Sequence, residues 1–362
     1  MVKYYLADQL GTFRSAASED DMNQSLALMC VLLLAADERT EFGASDGATA
    51  LGDHLIRLCH EQAAERYRWK GSKAFGFNVS EKGLHQLVRF LLVSIVHASL
   101  EASMAAQFCS ANLPQLLFDE FVVSTENFIA AEDMGPNQDT DSVNATPTTP
   151  PSEVSLRILA LEGLRNLCYA DWPRPQLNNS ALDTLWQMFL ATSTDSPTSA
   201  NDNGDQRDGT IAGQLACDIL SNLASHAPRA SHATKDRVSS LLTLLICTHD
   251  AKQSSSTLDG RNLCPQLVAM ADLAANLARD TEYSIVLICS LEQLKPRTRA
   301  NTSSLAFLTQ WADNINEDAG LRASLRSLNH NLAWTDVSTK VCVQKLAAST
   351  FLERFLHVHA NQ

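Results

Sequence analysis

A few side-chain groupings in this sequence could do chemistry. Leu58-Cys59-His60 and Cys247-Thr248-His249 place a thiol beside an imidazole. Zinc sites need such ligands in matched pairs, commonly two cysteines separated by about 2–4 residues and a second pair further on. Neither pair has a partner at that spacing, so no metal is expected. Gly71-Ser72-Lys73 lacks the earlier glycine of a phosphate-cradling loop. No nucleophile elbow and no His-Glu-x-x-His helix occurs. The carboxylates are scattered, and no catalytic pair can be assigned. The sequence therefore predicts a non-enzymatic chain with no cofactor and no small-molecule substrate.

Two patterns suit macromolecular contact. Arg66, Arg68, Trp69, Lys70 and Lys73 form the one dense basic and aromatic cluster. Such a run can meet nucleic acid through phosphates and stacking, or be a solvated loop after a helix. The net charge of −13 opposes broad contact with phosphate backbones and favours protein partners, basic ones among them. The second pattern is asparagine. Asn166, Asn222, Asn276 and Asn331 end similar segments, among them Ala160-Leu161-Glu162-Gly163-Leu164-Arg165-Asn166-Leu167-Cys168 and Ala216-Cys217-Asp218-Ile219-Leu220-Ser221-Asn222-Leu223-Ala224. They recur at intervals of 56, 54 and 55 residues. Asparagine is a poor helix former, so its recurrence inside helices needs a reason. It either contacts a partner along a groove or bonds to a neighbouring turn.

The elements that carry these residues are helices. Apolar residues make up 45% and glycine is scarce, and the apolar positions follow a helical period, as in Leu156, Leu159, Leu164 and Leu167. Each asparagine helix is followed by a second apolar helix, Ser180 to Leu190 and Arg237 to Cys247 being examples. Two looser pairs precede them, Ser25–Ala36 with Ala48–His60 and Leu84–Leu100 with Leu113–Val123. Paired helices at a fixed period predict an all-α, armadillo/HEAT-like α-solenoid of about six repeat units with disordered insertions. The expected organisation is degenerate helical repeats over 1–131, a disordered linker over 132–153, and armadillo-like repeats over 154–362. Flexible insertions are expected at 192–209 and 250–260, where Ser, Thr, Asn, Asp and Pro dominate. Thr146-Pro147, Thr149-Pro150 and Ser196-Pro197 in these stretches suit proline-directed phosphorylation or ordinary linker roles.

No apolar run reaches the roughly 18 residues of a membrane span. The N-terminus lacks the apolar core of a signal peptide. Nine cysteines, mostly within apolar helices, read as reduced thiols of a cytosolic or nuclear protein.

The Ala-Leu-x-x-Leu-x-Asn-Leu-Cys/Ala motif resembles the third helix of armadillo repeats. In the nuclear-import members of that superfamily the asparagine binds partner backbone, which would nominate Asn166, Asn222, Asn276 and Asn331. The tryptophans that accompany those asparagines are missing here. A closer likeness covers about Glu153 to His359. It includes Leu263-Cys264-Pro265-Gln266-Leu267-Val268, Asp272-Leu273 and Tyr283-Ser284-Ile285-Val286-Leu287. It also includes Asn331-Leu332-Ala333, Val341-Cys342-Val343-Gln344-Lys345 and Phe351-Leu352. This region is similar to the C-terminal armadillo-like domain of the large ARID-bearing subunit, the Osa family, of BAF-type SWI/SNF chromatin remodellers. The chain departs from that family in carrying no recognisable ARID segment and no tryptophan cluster before Gln214. The resemblance implies a nuclear, non-catalytic scaffold whose partners are other chromatin-remodeller subunits. The alternative is an adaptor or transport receptor that holds linear peptides.

Overall fold

The computed structural model describes residues 6–64, 71–73, 75–123, 155–169, 175–191, 205–254, 264–294, 303–315 and 318–334. These are helical apart from one short β-ladder and the connections. The chain divides into two compact units, Met1–Ile219 and Leu220–Gln362.

The first unit opens with α1 (Leu6–Arg14), α2 (Glu19–Leu32), α3 (Ala36–Ala44) and α4 (Gly47–Ala64). Two-residue strands β1 (Gly71–Ser72) and β2 (Val79–Ser80) pair antiparallel. Then come α5 (Glu81–Ala98), α6 (Ala102–Ser110) and α7 (Leu113–Leu117), which continues as a π-helical turn over Phe118–Val123. After these follow α8 (Leu156–Cys168), α9 (Asn179–Ala191) and the start of α10 (Asp205–His226). Short polar side chains set the helix starts. Ser18, Ser80 and Ser155 accept from the backbone N–H of Asp21, Gly83 and Ile158, and Asn178 Oδ1 accepts from Ala181 N at 2.8 Å. Each bond satisfies one of the donors that a helix N-terminus leaves without a partner.

The core of this unit is a stack in which α5 packs on α2 and α8 packs on α5. Helix α5 is buried on two sides, through Leu84, Leu87, Val88, Leu91, Leu92 and Ile95, because it lies between those neighbours. Each leucine so enclosed contributes about 1.5–3 kcal/mol. Ala160 is fully buried, and a Cβ at Gly163 would stand 3.6 Å from the Leu117 and 3.7 Å from the Val96 side chain, ordinary contact distances. Further along, Trp186 and Phe189 of α9 are buried together, with ring centroids 5.9 Å apart.

The second unit contains the end of α10 and a 3₁₀ turn, Pro228–Ser231. It continues with α11 (Lys235–Ser254), α12 (Cys264–Leu277), α13 (Thr281–Leu294) and α14 (Ser304–Asn314). A further helix, α15, spans 319–334. Thr234, Ser303 and Asp318 cap α11, α14 and α15 in the same way as the serines of the first unit. Helix α11 packs on both α12 and α13. Met270, Leu273, Ala274 and Leu277 of α12 and Leu325, Leu328 and Leu332 of α15 are buried.

The division between units falls inside α10, and the 132–153 segment lies outside the described residues. The residues that follow that segment form α8, whose apolar face is covered by α5, α6 and α7 of the same unit. Helix also enters both expected insertions, since α10 begins at Asp205 and α11 runs to Ser254. A helix that is already nucleated adds residues at little cost, so the buried parts of α10 and α11 carry polar turns beyond them. The remainder of the two insertions, and the Thr-Pro and Ser-Pro positions, lie outside the described residues.

Candidate partner-binding surface

The four nominated asparagines end equivalent helices, α8, α10, α12 and α15. In the first unit, Asn166 Nδ2 donates to Val96 O of α5 at 3.1 Å. In the second, Asn276 Nδ2 donates to Ser221 O and Ser221 Oγ, both at 3.1 Å. Asn331 Nδ2 donates to Ala275 O at 2.8 Å. Ser221 immediately precedes Asn222, and Ala275 immediately precedes Asn276. Asn276 and Asn331 thus each grip the residue just before the preceding asparagine of the series, on the neighbouring helix of the same unit. Asn222 is half-buried, and its carbonyl accepts from Ser225 Oγ at 2.7 Å.

The same geometry reveals a member that spacing did not. Val96 precedes His97, and His97 Nδ1 bonds to Cys30 O at 3.1 Å. A carbonyl only accepts, so this tautomer carries its proton on Nδ1. His97 therefore does on α5 what asparagine does on later helices, and Val31 holds the corresponding place on α2. The recurrence of asparagine inside helices has a cause within the chain. At Asn166, Asn276 and Asn331 a short amide ties one helix to its neighbour within the unit.

Three residues beyond this position, large apolar side chains stand in solvent. In the turns just past α2, α5 and α8 they are Leu34, Leu100 and Tyr169, exposed by 62%, 57% and 76%. Val31 is exposed as well. These helices pack in succession, α5 on α2 and α8 on α5, so the shared register gives the three side chains equivalent places along the stack. Isolated exposed leucines are ordinary, whereas apolar residues exposed at equivalent places of successive helices are not scattered singly. Asp37 and Glu101 follow Leu34 and Leu100, while the Arg39 guanidinium donates to Leu33 O and Leu34 O at 2.9 Å. In the second unit the corresponding places hold Ser225, Arg279 and Trp334. There Arg279 Nη1 donates to Ser225 O.

The second unit also has a groove of about 500 Å³ lined by Asp272, Ala275, Asn276, Arg326, Ser327, His330 and Asn331. It brings two of the nominated asparagines together between α12 and α15. Burial raises the pKa of Asp272, and a hydrogen bond with Ser324 partly offsets this. Arg326 Nη2 is 3.0 Å from Asp313 Oδ1. The groove offers an acid, amides and a paired guanidinium, which suits polar backbone or side chains.

Of the basic cluster, Arg66, Arg68, Trp69 and Lys70 lie outside the described residues. Lys73 is exposed just after β1, and its backbone N–H donates to Glu61 Oε1 at 2.8 Å. Among the described residues no group of three or more His, Cys, Asp or Glu is placed to hold a metal ion. Of the described helices, none is long and apolar enough to cross a membrane. Cys30, Cys59, Cys109, Cys168, Cys217, Cys247 and Cys289 are free thiols. Burial pushes Cys109 up to about 11 and raises Cys30 and Cys168 too, so these three stay protonated near neutral pH and are poor nucleophiles. No protein-family model matches the chain, and no curated protein matches it.

Proposed function

We propose that this chain is a non-catalytic, armadillo-like scaffold that organises partner proteins, and that its setting is a nuclear SWI/SNF-type chromatin-remodelling complex. The observation that carries the scaffold reading is the row Leu34, Leu100 and Tyr169. Stacked helices whose register is held by internal hydrogen bonds present apolar anchors at regular intervals, and a rigid apolar row is what a protein partner buries. The remodeller setting rests on the resemblance between Glu153 and His359. Repeats of this kind need no chemistry of their own, because rigid spacing of contact surfaces is their contribution.

Affinity purification of the full chain from nuclear extract, read by mass spectrometry, tests this reading. Recovery of the remodeller's ATPase and core subunits is expected. Recovery of none of them would overturn the remodeller assignment.

A second reading has one observation in its favour. The groove between α12 and α15 joins Asp272, Asn276 and Asn331, which suits an extended basic peptide held by an adaptor or transport receptor. In that case synthetic peptides would bind the isolated chain, and the Asp272→Asn variant would weaken them.

A further inference from the structure

Around the short β-ladder of the first unit the fold gathers aromatic and cationic side chains that a protein scaffold does not require. The Phe13 ring of α1 lies 4.3 Å from the His54 ring of α4. His54 stacks on Phe75 at 5.6 Å with an interplanar angle of 11°, and Phe75 meets Phe77 at 6.2 Å. Rings thus run from α1 across α4 into the loop between β1 and β2, where Phe75 and Phe77 are partly exposed. His54 Nδ1 bonds to Ala50 O at 2.7 Å. Burial, aided by Arg57 and Arg14 and opposed by the Ala50 hydrogen bond and Asp53, lowers its pKa, which favours the neutral ring.

Two carboxylates hold this loop in place. Glu61 accepts from Ser72 Oγ and from Lys73 N, and Glu19 accepts from Ser80 N at 2.8 Å and Ser80 Oγ at 3.1 Å. Gly76, at φ 83°, turns the chain between them, a conformation that favours glycine. Three cations border the rings. Arg57 is exposed on α4, between His54 and Glu61 on one helix face, so it lies alongside the loop. Arg14 follows Phe13, and its Nη2 donates to Asp46 O at 3.2 Å. Lys73 is exposed on the loop itself. Asp46 and Asp53 are the exposed acids nearby, and Glu61 is engaged by the loop.

We propose that this corner binds single-stranded nucleic acid, with bases stacking on Phe77 and Phe75 and phosphates met by Arg57, Arg14 and Lys73. Aromatic faces beside cations accept any unstacked base, whereas a duplex keeps its base faces covered. With the chain's net charge at −13, the contact is local and sensitive to salt. The site does not depend on the scaffold reading.

Fluorescence anisotropy of the full chain with a fluorescein-labelled oligothymidylate of about a dozen nucleotides tests it. Binding should weaken with salt along a log–log slope of about −2, as three phosphate contacts on a single strand give. Phe77→Ala should weaken binding about tenfold with the slope unchanged, and Phe77→Tyr should restore it. Arg57→Gln should reduce the slope by about 0.7. If Phe77→Ala lowers the melting temperature, the surface pair Arg57→Gln with Lys73→Gln carries the test instead, with a slope reduced by about 1.4. No binding at low salt would overturn the proposal. So would binding that polyglutamate displaces as readily as unlabelled oligothymidylate, because that is the behaviour of a site for acidic protein.

Discussion

Replacing Leu100 and Tyr169 together by aspartate is expected to remove the chain from its partner complex while leaving its own fold intact. Both side chains are more than half exposed, so they contribute little to the core, and surface changes of this kind usually alter stability by less than about 0.5 kcal/mol. At an interface the same positions would be central anchors. Truncating one such anchor costs about 2 kcal/mol or more, close to a 30-fold loss of affinity, and a buried unpaired carboxylate adds its desolvation. Recovery of partner subunits in affinity purification should therefore fall to background, with the melting temperature unchanged. Undiminished recovery would show that the row is not the contact surface, whatever complex the chain joins. An early melt would show that the row is core.

The second large effect lies in the interior. Trp186→Ala should destabilise the first unit by about 3–5 kcal/mol, as removal of a large aromatic side chain leaves a cavity that its neighbours only partly fill. Trp186 is fully buried against Phe189 on α9, so no rearrangement at the surface can take up the lost volume. Urea denaturation followed by circular dichroism would measure this. A loss below about 1 kcal/mol would mean that α9 is not packed as described. The contrast between the two variants separates binding from folding, since one should change only the first and the other chiefly the second.

Much of the helical layout was legible in the sequence, because apolar residues at helical spacing have to be buried on one face. The helices that carry Asn166, Asn222, Asn276 and Asn331 lie where their shared motif put them. What the asparagines do was only half legible. A polar residue inside a helix signals a tertiary partner, yet its type does not say whether that partner is a ligand or the adjoining helix. The coordinates place the amides of Asn166, Asn276 and Asn331 on neighbouring backbone carbonyls. His97 escaped notice because it differs in type and lies 69 residues before Asn166, outside the even spacing. Leu34 and Leu100 were hidden for a different reason. They look like core residues, and only the register of the stack shows that they point outward. The aromatic corner was partly visible as a basic run, but Phe13, Arg14, His54 and Arg57 come from two helices that sequence spacing does not connect.

The claim on which the rest depends is that these asparagines hold stacked helices in register. Asn276→Asp tests it with the least confusion. The two side chains have nearly the same shape and helix propensity, and only the donor is lost. At neutral pH a carboxylate would face the Ser221 carbonyl in place of an amide N–H. Urea denaturation should show a loss of about 1–3 kcal/mol, the usual cost of leaving such a group without its partner. Unchanged stability would contradict the account and return Asn276 to the role of an open groove residue.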